Sequence, residues 1–278
     1  MSVYKRKVQR IGRSTFVLTL PSFWAKEVGL EPHSEVYLEI LPDMSLRVYK
    51  ASAPALEEIV CEIKADSVYT DHDIAREIIA HYIAGASYIK VVYSGVHRGV
   101  VDRGINIARD RLIGLEVVDE DANSIVLQIV VDPNLSDIDS VVKRLKRIAV
   151  SMHKDIVSYF SGNKDTFIVD SVIARDNLAD KLYLLALRQL TLMLRNPYEM
   201  GRRGIDYSEI IHRVMFIKSL ERIADHAVNM AKIAKLLKSL PDELLKLYKE
   251  SIDLFDAMAE ALIDMDKNRA VELINHAD

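Results

Sequence analysis

Apolar positions along the 278-residue chain follow two different periods. In the first fifty residues they alternate. Val3–Arg10, Thr15–Leu20, Glu35–Leu41 and Leu46–Tyr49 carry β-branched and aromatic residues in the pattern of strands. Between them, Pro21–Val28 reads as a short helix, with Ser22 as its cap and Gly29 as its stop. Asp43-Met-Ser is a turn that closes the last two strands into a hairpin.

A short linker, Ala51–Ala55, leads to a mixed region over residues 51–132. The pattern predicts strands at Glu58–Ile63, Tyr88–Tyr93, Leu115–Val118 and Ser124–Val131. It predicts helices at Asp71–Tyr82 and Val96–Leu112. This order implies a small sheet covered by two helices. Ser94-Gly-Val-His-Arg-Gly99 joins a strand to a helix, a place where backbone amides can hold an anion. It matches neither a Walker loop nor a dinucleotide fingerprint, and ordinary turn chemistry accounts for it.

From residue 133 the period changes to that of helices. Ser136 is placed to cap a helix whose face is Ile138, Val141, Val142, Leu145, Ala149, Met152, Ile156 and Phe160. Gly162-Asn163 ends it. Residues 165–240 then read as two long helices joined by the loop Asn196–Gly204, the second starting near Asp206 or Ser208. Pro241-Asp-Glu243 opens a further helix whose face repeats that of the first, a weak internal repeat. The fold class is therefore mainly α with an α/β part. The expected division is 1–50, 51–132 and 133–278.

Four acids interrupt the apolar stripes of the long hairpin. Asp176 and Asp180 lie in one stripe with Ile173, Tyr183 and Leu187. Glu221 and Asp225 flank Ile217, Ala224 and Val228 in the other. Like charges one turn apart repel. Folding the chain back about a turn near residue 200 sets Asp176 opposite Asp225 and Asp180 opposite Glu221. Four converging carboxylates need protons or a cation, and oxygen ligands alone suit Mg, Mn or Fe better than Zn. The competing reading pairs these acids with Arg175, Arg188 or Arg222. His153, from the preceding helix, and Asn229 are further candidates for the shell.

Charge divides unevenly along the chain. Residues 1–50 hold eight Lys/Arg against five Asp/Glu, leaving 29 against 36 in the remainder. Lys5, Arg6, Lys7, Arg10 and Arg13 stand within thirteen residues that contain no acid. That is the pattern of a basic contact module on an acidic body. A solvated edge strand, where charge blocks aggregation, is the plainer reading. Cys61 is the only cysteine, so an intramolecular disulfide and a thiolate metal site are excluded, and a reducing cytoplasm is expected. No apolar run suggests a signal peptide or a membrane span.

Two resemblances follow from these residues. Val172-Ile-Ala-Arg-Asp-Asn-Leu-Ala-Asp-Lys-Leu-Tyr183 and Glu221-Arg-Ile-Ala-Asp-His-Ala-Val-Asn229 resemble the signature helices of the PhoU family, helical-bundle regulators of phosphate uptake. The family's metal-binding motifs would fall on Asp176 and Asp180 and on Glu221 and Asp225. Arg6–Arg13, Phe16–Pro21 and Trp24–Leu30 resemble the AbrB/SpoVT family, whose members form swapped-hairpin dimers and often bind DNA. Its basic contacts would fall on Arg6, Lys7 and Arg13, with Arg10 added. The tip, Gly12-Arg-Ser-Thr, departs from that family's usual sequence. The whole is similar in order to archaeal AbrB–PhoU fusions.

Together these resemblances imply a cytoplasmic, homodimeric, phosphate-responsive transcriptional regulator that binds double-stranded DNA and a divalent or trivalent metal ion. The alternative is an adaptor acting on a phosphate transporter or a signalling kinase, its N-terminal module serving only to dimerise. An enzyme is not expected. Di-metal carboxylate oxidases draw on Glu-x-x-His motifs from paired helices, and no such motif is expected in the helical body.

Overall fold

The computed structural model describes residues 4–41, 44–50, 58–94, 98–131, 137–196, 200–201, 203–237 and 239–277. It falls into two compact units. One comprises residues 1–57 with 196–204, and the other residues 58–195 with 205–278. The mixed region and the helical body thus share one unit, and the first boundary falls after residue 57. The predicted linker 51–55, Asp43 of the predicted turn and the centre of the Ser94–Gly99 loop lie outside the described residues.

The first unit holds two hairpins. β1 (Gln9–Ile11) pairs with β2 (Thr15–Val17), and β3 (Val36–Ile40) with β4 (Leu46–Lys50), both antiparallel. The strands expected over 3–10 and 15–20 are shorter than their pattern. A strand needs a neighbour, and within one chain the first hairpin supplies only three register pairs. Gly12 sits at φ +67 in its turn, a conformation glycine adopts without a Cβ penalty.

α1 (Ser22–Glu27) starts after Pro21 with no side-chain cap, so Ser22 is its first residue rather than its cap. Gly29, at φ +63, stops the helix as expected. Across the second hairpin, Tyr37 stacks on Tyr49 with ring centroids 5.5 Å apart. None of the described residues between 4 and 50 is buried.

The second unit begins with a four-stranded sheet of order β5-β6-β8-β7, built from β5 (Val60–Ala65), β6 (Tyr88–Tyr93), β7 (Leu115–Glu120) and β8 (Ser124–Ile129). β5 and β6 run parallel, which requires the crossover supplied by α2 (Asp71–Ile83). β7 and β8 form the expected hairpin, with an irregularity between Val117 and Asp119. Thr70 and Asp73 form a capping box at the start of α2. α3 (Arg98–Arg109) packs on α2 at Gly104, where an added Cβ would lie 2.8 Å from the Asp71 carbonyl oxygen. Ile74, Ile78, Val101, Ile63, Ile89, Val91, Ile125 and Leu127 form the core of this layer.

Helices α4 (Ile138–Phe160), α5 (Thr166–Arg195) and α6 (Tyr207–Ala234) pack together as a three-helix bundle. α7 (Asp242–Ile263) lies against α4, and α8 (Lys267–Ala277) against α7. α8 was not foreseen from the pattern. The cap of α4 is Asp137, whose side chain accepts from Ser140 N; Ser136, the expected cap, lies outside the described residues. Asp206 caps α6 by accepting from Glu209 N.

The face predicted for α4 is buried throughout its length. Lys146, also buried, reaches across to Asp256 and Glu260 of α7, and Lys154 bonds Asp256 at 2.9 Å. Among the described residues no helix is long and apolar enough to cross a membrane.

Candidate metal centre

α5 and α6 bring the acids together because their facing sides are in the expected register. Tyr183 and Lys218 report that register directly. They lie three residues towards the loop from Asp180 and from Glu221, and the Lys218 ammonium sits 5.0 Å from the Tyr183 ring centroid. At this level one carboxylate oxygen from each of Asp176, Asp180 and Asp225 lies within 4.8 Å of the other two. Asp176 and Asp180 are half-buried beside the bundle core, and Asp225 is exposed. Among the described residues this is the single His/Cys/Asp/Glu cluster close enough to hold an ion.

Glu221 shares the level but not the cluster. It is nearly buried, and both its oxygens accept from Lys218 Nζ at 2.6 Å. The pairing holds the Lys218 ammonium above the usual lysine range, chiefly through that hydrogen bond. The arginine alternative is not what the geometry favours. Arg175 binds Ser151 Oγ at 2.9 Å and the Asp155 carboxylate. Arg188 donates to the Tyr82 carbonyl at 2.8 Å and lies over the Tyr82 ring. Arg222 is exposed.

The electrostatics are those of anions crowded at the edge of a core. Burial, then the neighbouring Asp225, raises the Asp176 carboxyl, with Lys232 opposing. Burial, then Asp176, Asp225 and Glu221, pushes Asp180 up to about 6, with Arg111 opposing. Asp176 Oδ1 is buried without a hydrogen-bond partner. Such an oxygen is costly unless a proton or cation meets it. An all-oxygen set with an orphaned buried oxygen fits a hard cation of the Mg²⁺ or Mn²⁺ class. Asp176, Asp180 and Asp225 would hold it.

His153 is not available as a ligand. Its Nε2 faces the Ile223 carbonyl at 2.8 Å and its Nδ1 faces the Tyr248 hydroxyl at 2.6 Å. Asn229 and His226 are exposed on α6. Contrary to expectation the helical body does hold one Glu-x-x-His, Glu209–His212, at the far end of α6 from the acids. Its Glu209 is bonded to Arg213. Lys218 is the residue that sequence reasoning missed. Its signal was present, since a lysine three residues before Glu221 lies on the same helical face.

The four basic residues proposed for DNA contact are exposed in the first unit. Arg10 lies in β1, and its guanidinium donates to the Arg13 carbonyl, bracing the turn at Gly12. Arg6 bonds the Lys5 carbonyl and lies 5.7 Å from the Tyr4 ring centroid.

A family model described as PhoU domain matches residues 142–234, which span most of α4 and all of α5 and α6. The match includes all four acids. No curated protein and no solved structure matches the chain.

Proposed function

We propose that the chain is a phosphate-responsive transcriptional regulator, with a DNA-binding, dimerising N-terminal module and a metal-binding PhoU-like body. The observation that carries the reading is the join between two dissimilar parts. A PhoU-domain region holds the carboxylate cluster, and a separate basic unit precedes it in sequence. PhoU-type regions point to phosphate-related regulation. The basic unit supplies what an adaptor alone does not need, a charged surface suited to a polyanion.

Dimerisation is supported by the exposure of the first unit. Phe16, Phe23 and Ile40 are 70%, 64% and 70% exposed, and Val8, Ile11, Leu18 and Leu38 are exposed with them. Covering one such side chain contributes roughly 1.5–3 kcal/mol. A second copy with interleaved hairpins, as the AbrB/SpoVT resemblance implies, would bury these residues. It would also give the short β1 and β2 ladder its missing neighbours. Two copies of Arg6, Lys7, Arg10 and Arg13 would then flank one surface. Phosphate contacts by such residues give affinity that weakens as salt rises.

The test is fluorescence anisotropy of duplex DNA with the full chain over a salt series. Affinity should fall steeply with salt, and Arg6→Ala with Lys7→Ala should flatten the slope. Absence of binding at low salt, with a dimer by light scattering, would favour the adaptor reading instead.

A further inference from the structure

The chain passes between its two compact units after residue 57, between Arg195 and Asn196, and between Gly204 and Ile205. The last two crossings are the ends of the acid-bearing hairpin. α5 stops at Arg195 and α6 begins at Tyr207. The loop that joins them, Asn196–Gly204, folds with the N-terminal hairpins and not with the helices it connects.

Within the first unit this loop is a packed element. Gly201 lies against the Glu39 side chain of β3, where an added Cβ would be 3.4 Å from one carboxylate oxygen and 3.5 Å from the other. Glu39 in turn pairs with Arg47 of β4 at 3.3 Å in a part-buried ion pair. Met200 is 1% exposed and Asn196 8%, whereas no described residue between 4 and 50 is buried. Met200 N donates to the Asn196 carbonyl at 3.2 Å, and Gly204 N to the Gly201 carbonyl at 3.0 Å, so the loop is also folded on itself.

We propose that this loop carries the cation occupancy of the acid cluster to the N-terminal module. The proposal rests on the metal-site and DNA-binding readings above. Without a cation, Asp176, Asp180 and Asp225 repel one another across the seam between α5 and α6. A bound cation draws the same carboxylates together, which gives the hairpin two states that differ in the spacing of its helices. About 22 Å of α5 separates Asp180 from Arg195, and about 27 Å of α6 separates Asp225 from Tyr207. Each helix is a rigid element that carries a shift at the acids to its loop end. Both helices end in the one loop, so a change in their spacing is taken up there, beside Glu39 and the β3–β4 hairpin. The coupling is reciprocal: the factor by which the cation changes DNA affinity is the factor by which DNA changes cation affinity.

The experiment is hydrogen–deuterium exchange of the full chain, read by mass spectrometry with and without saturating Mn²⁺. Binding is followed in parallel by the loss of the free-ion paramagnetic resonance signal. Mn²⁺ should change exchange in the loop and in β3–β4 by about fivefold or more, and Asp180→Asn with Asp225→Asn should abolish the effect. In fluorescence anisotropy, Mn²⁺ should shift the duplex-DNA affinity of wild type by a similar factor beyond any shift in that double variant. Short glycine inserts on either side of the loop, after Arg195 and after Gly204, loosen the join. Such a protein should bind Mn²⁺ as wild type does and lose the response of β3–β4. The wild-type response decides the coupling, and the inserts decide its route. Bound Mn²⁺ with exchange in β3–β4 unchanged overturns the proposal and leaves the metal site standing. A response that survives the inserts overturns it as well, because the route then lies outside the loop. No bound Mn²⁺ overturns the metal-site reading and the proposal with it.

Discussion

His153 of α4 and Tyr248 of α7 share a hydrogen bond of 2.6 Å inside the body, with their rings edge to face. The other imidazole nitrogen faces a carbonyl, which can only accept, so Nε2 carries the proton and Nδ1 accepts from the tyrosine. The carbonyl belongs to Ile223, between Glu221 and Asp225. One buried side chain therefore ties the acid-bearing helix to both α4 and α7. Tyr248→Phe leaves Nδ1 buried without a donor and should lower stability by about 1–3 kcal/mol in chemical denaturation. An unchanged midpoint would mean that the bond contributes nothing net.

The same histidine gives a pH dependence with a definite sign. Burial holds its pKa below the ordinary 6.5, with the Ile223 carbonyl opposing and the His226 charge adding to the effect. Below pH 6.5 the unfolded chain takes up a proton that the folded chain refuses. The folded state therefore loses stability as pH falls through that window. His153→Gln should flatten this part of the stability–pH curve. A slope unchanged by the substitution would assign it to another group.

Asp180 has the opposite sign. Its pKa is pushed up to about 6, so the folded metal-free protein keeps a proton that the unfolded chain releases near 3.8. Metal-free protein should lose stability as pH rises from about 4 to 6. Divalent metal, which needs the deprotonated carboxylate, should stabilise increasingly across the same window. Thermal melts with and without chelator check both trends. Asp180→Asn should remove much of each.

Arg188 joins the sheet layer to the bundle. It is buried on α5, donates to the Tyr82 carbonyl at 2.8 Å and lies 5.0 Å from the Tyr82 ring centroid. Tyr82 is in the last turn of α2, where a cation offsets the helix dipole and adds a second donor to a carbonyl that already accepts from Gly85 N at 3.0 Å. Arg188→Met should speed amide exchange in that turn of α2 while leaving α6 unchanged. Equal acceleration in both would indicate global destabilisation instead.

Much of this was legible in the chain because period and punctuation are local. The helices of the body follow from an apolar repeat bounded by Gly162, Asp206 and Pro241, and the facing of the two acid pairs follows from one loop. Strand lengths in the first unit were not legible, since a ladder depends on a partner strand that the pattern of one segment does not specify. The isolation of Glu221 was also missed. Both helical periodicity and hairpin register place it with the three aspartates. Only the reach of the Lys218 side chain, four methylenes long, decides which charge meets it. The tie from His153 to Tyr248 spans distant segments and leaves no local signature.

Asp176, Asp180 and Asp225 are proposed to hold a hard cation. Anomalous diffraction from crystals grown with Mn²⁺ tests it most directly. A peak should stand between the three carboxylates, about 2.0–2.6 Å from their nearest oxygens, and should vanish in Asp180→Asn with Asp225→Asn. An ordered hairpin with no anomalous peak at that position, in protein saturated with Mn²⁺, would contradict the account.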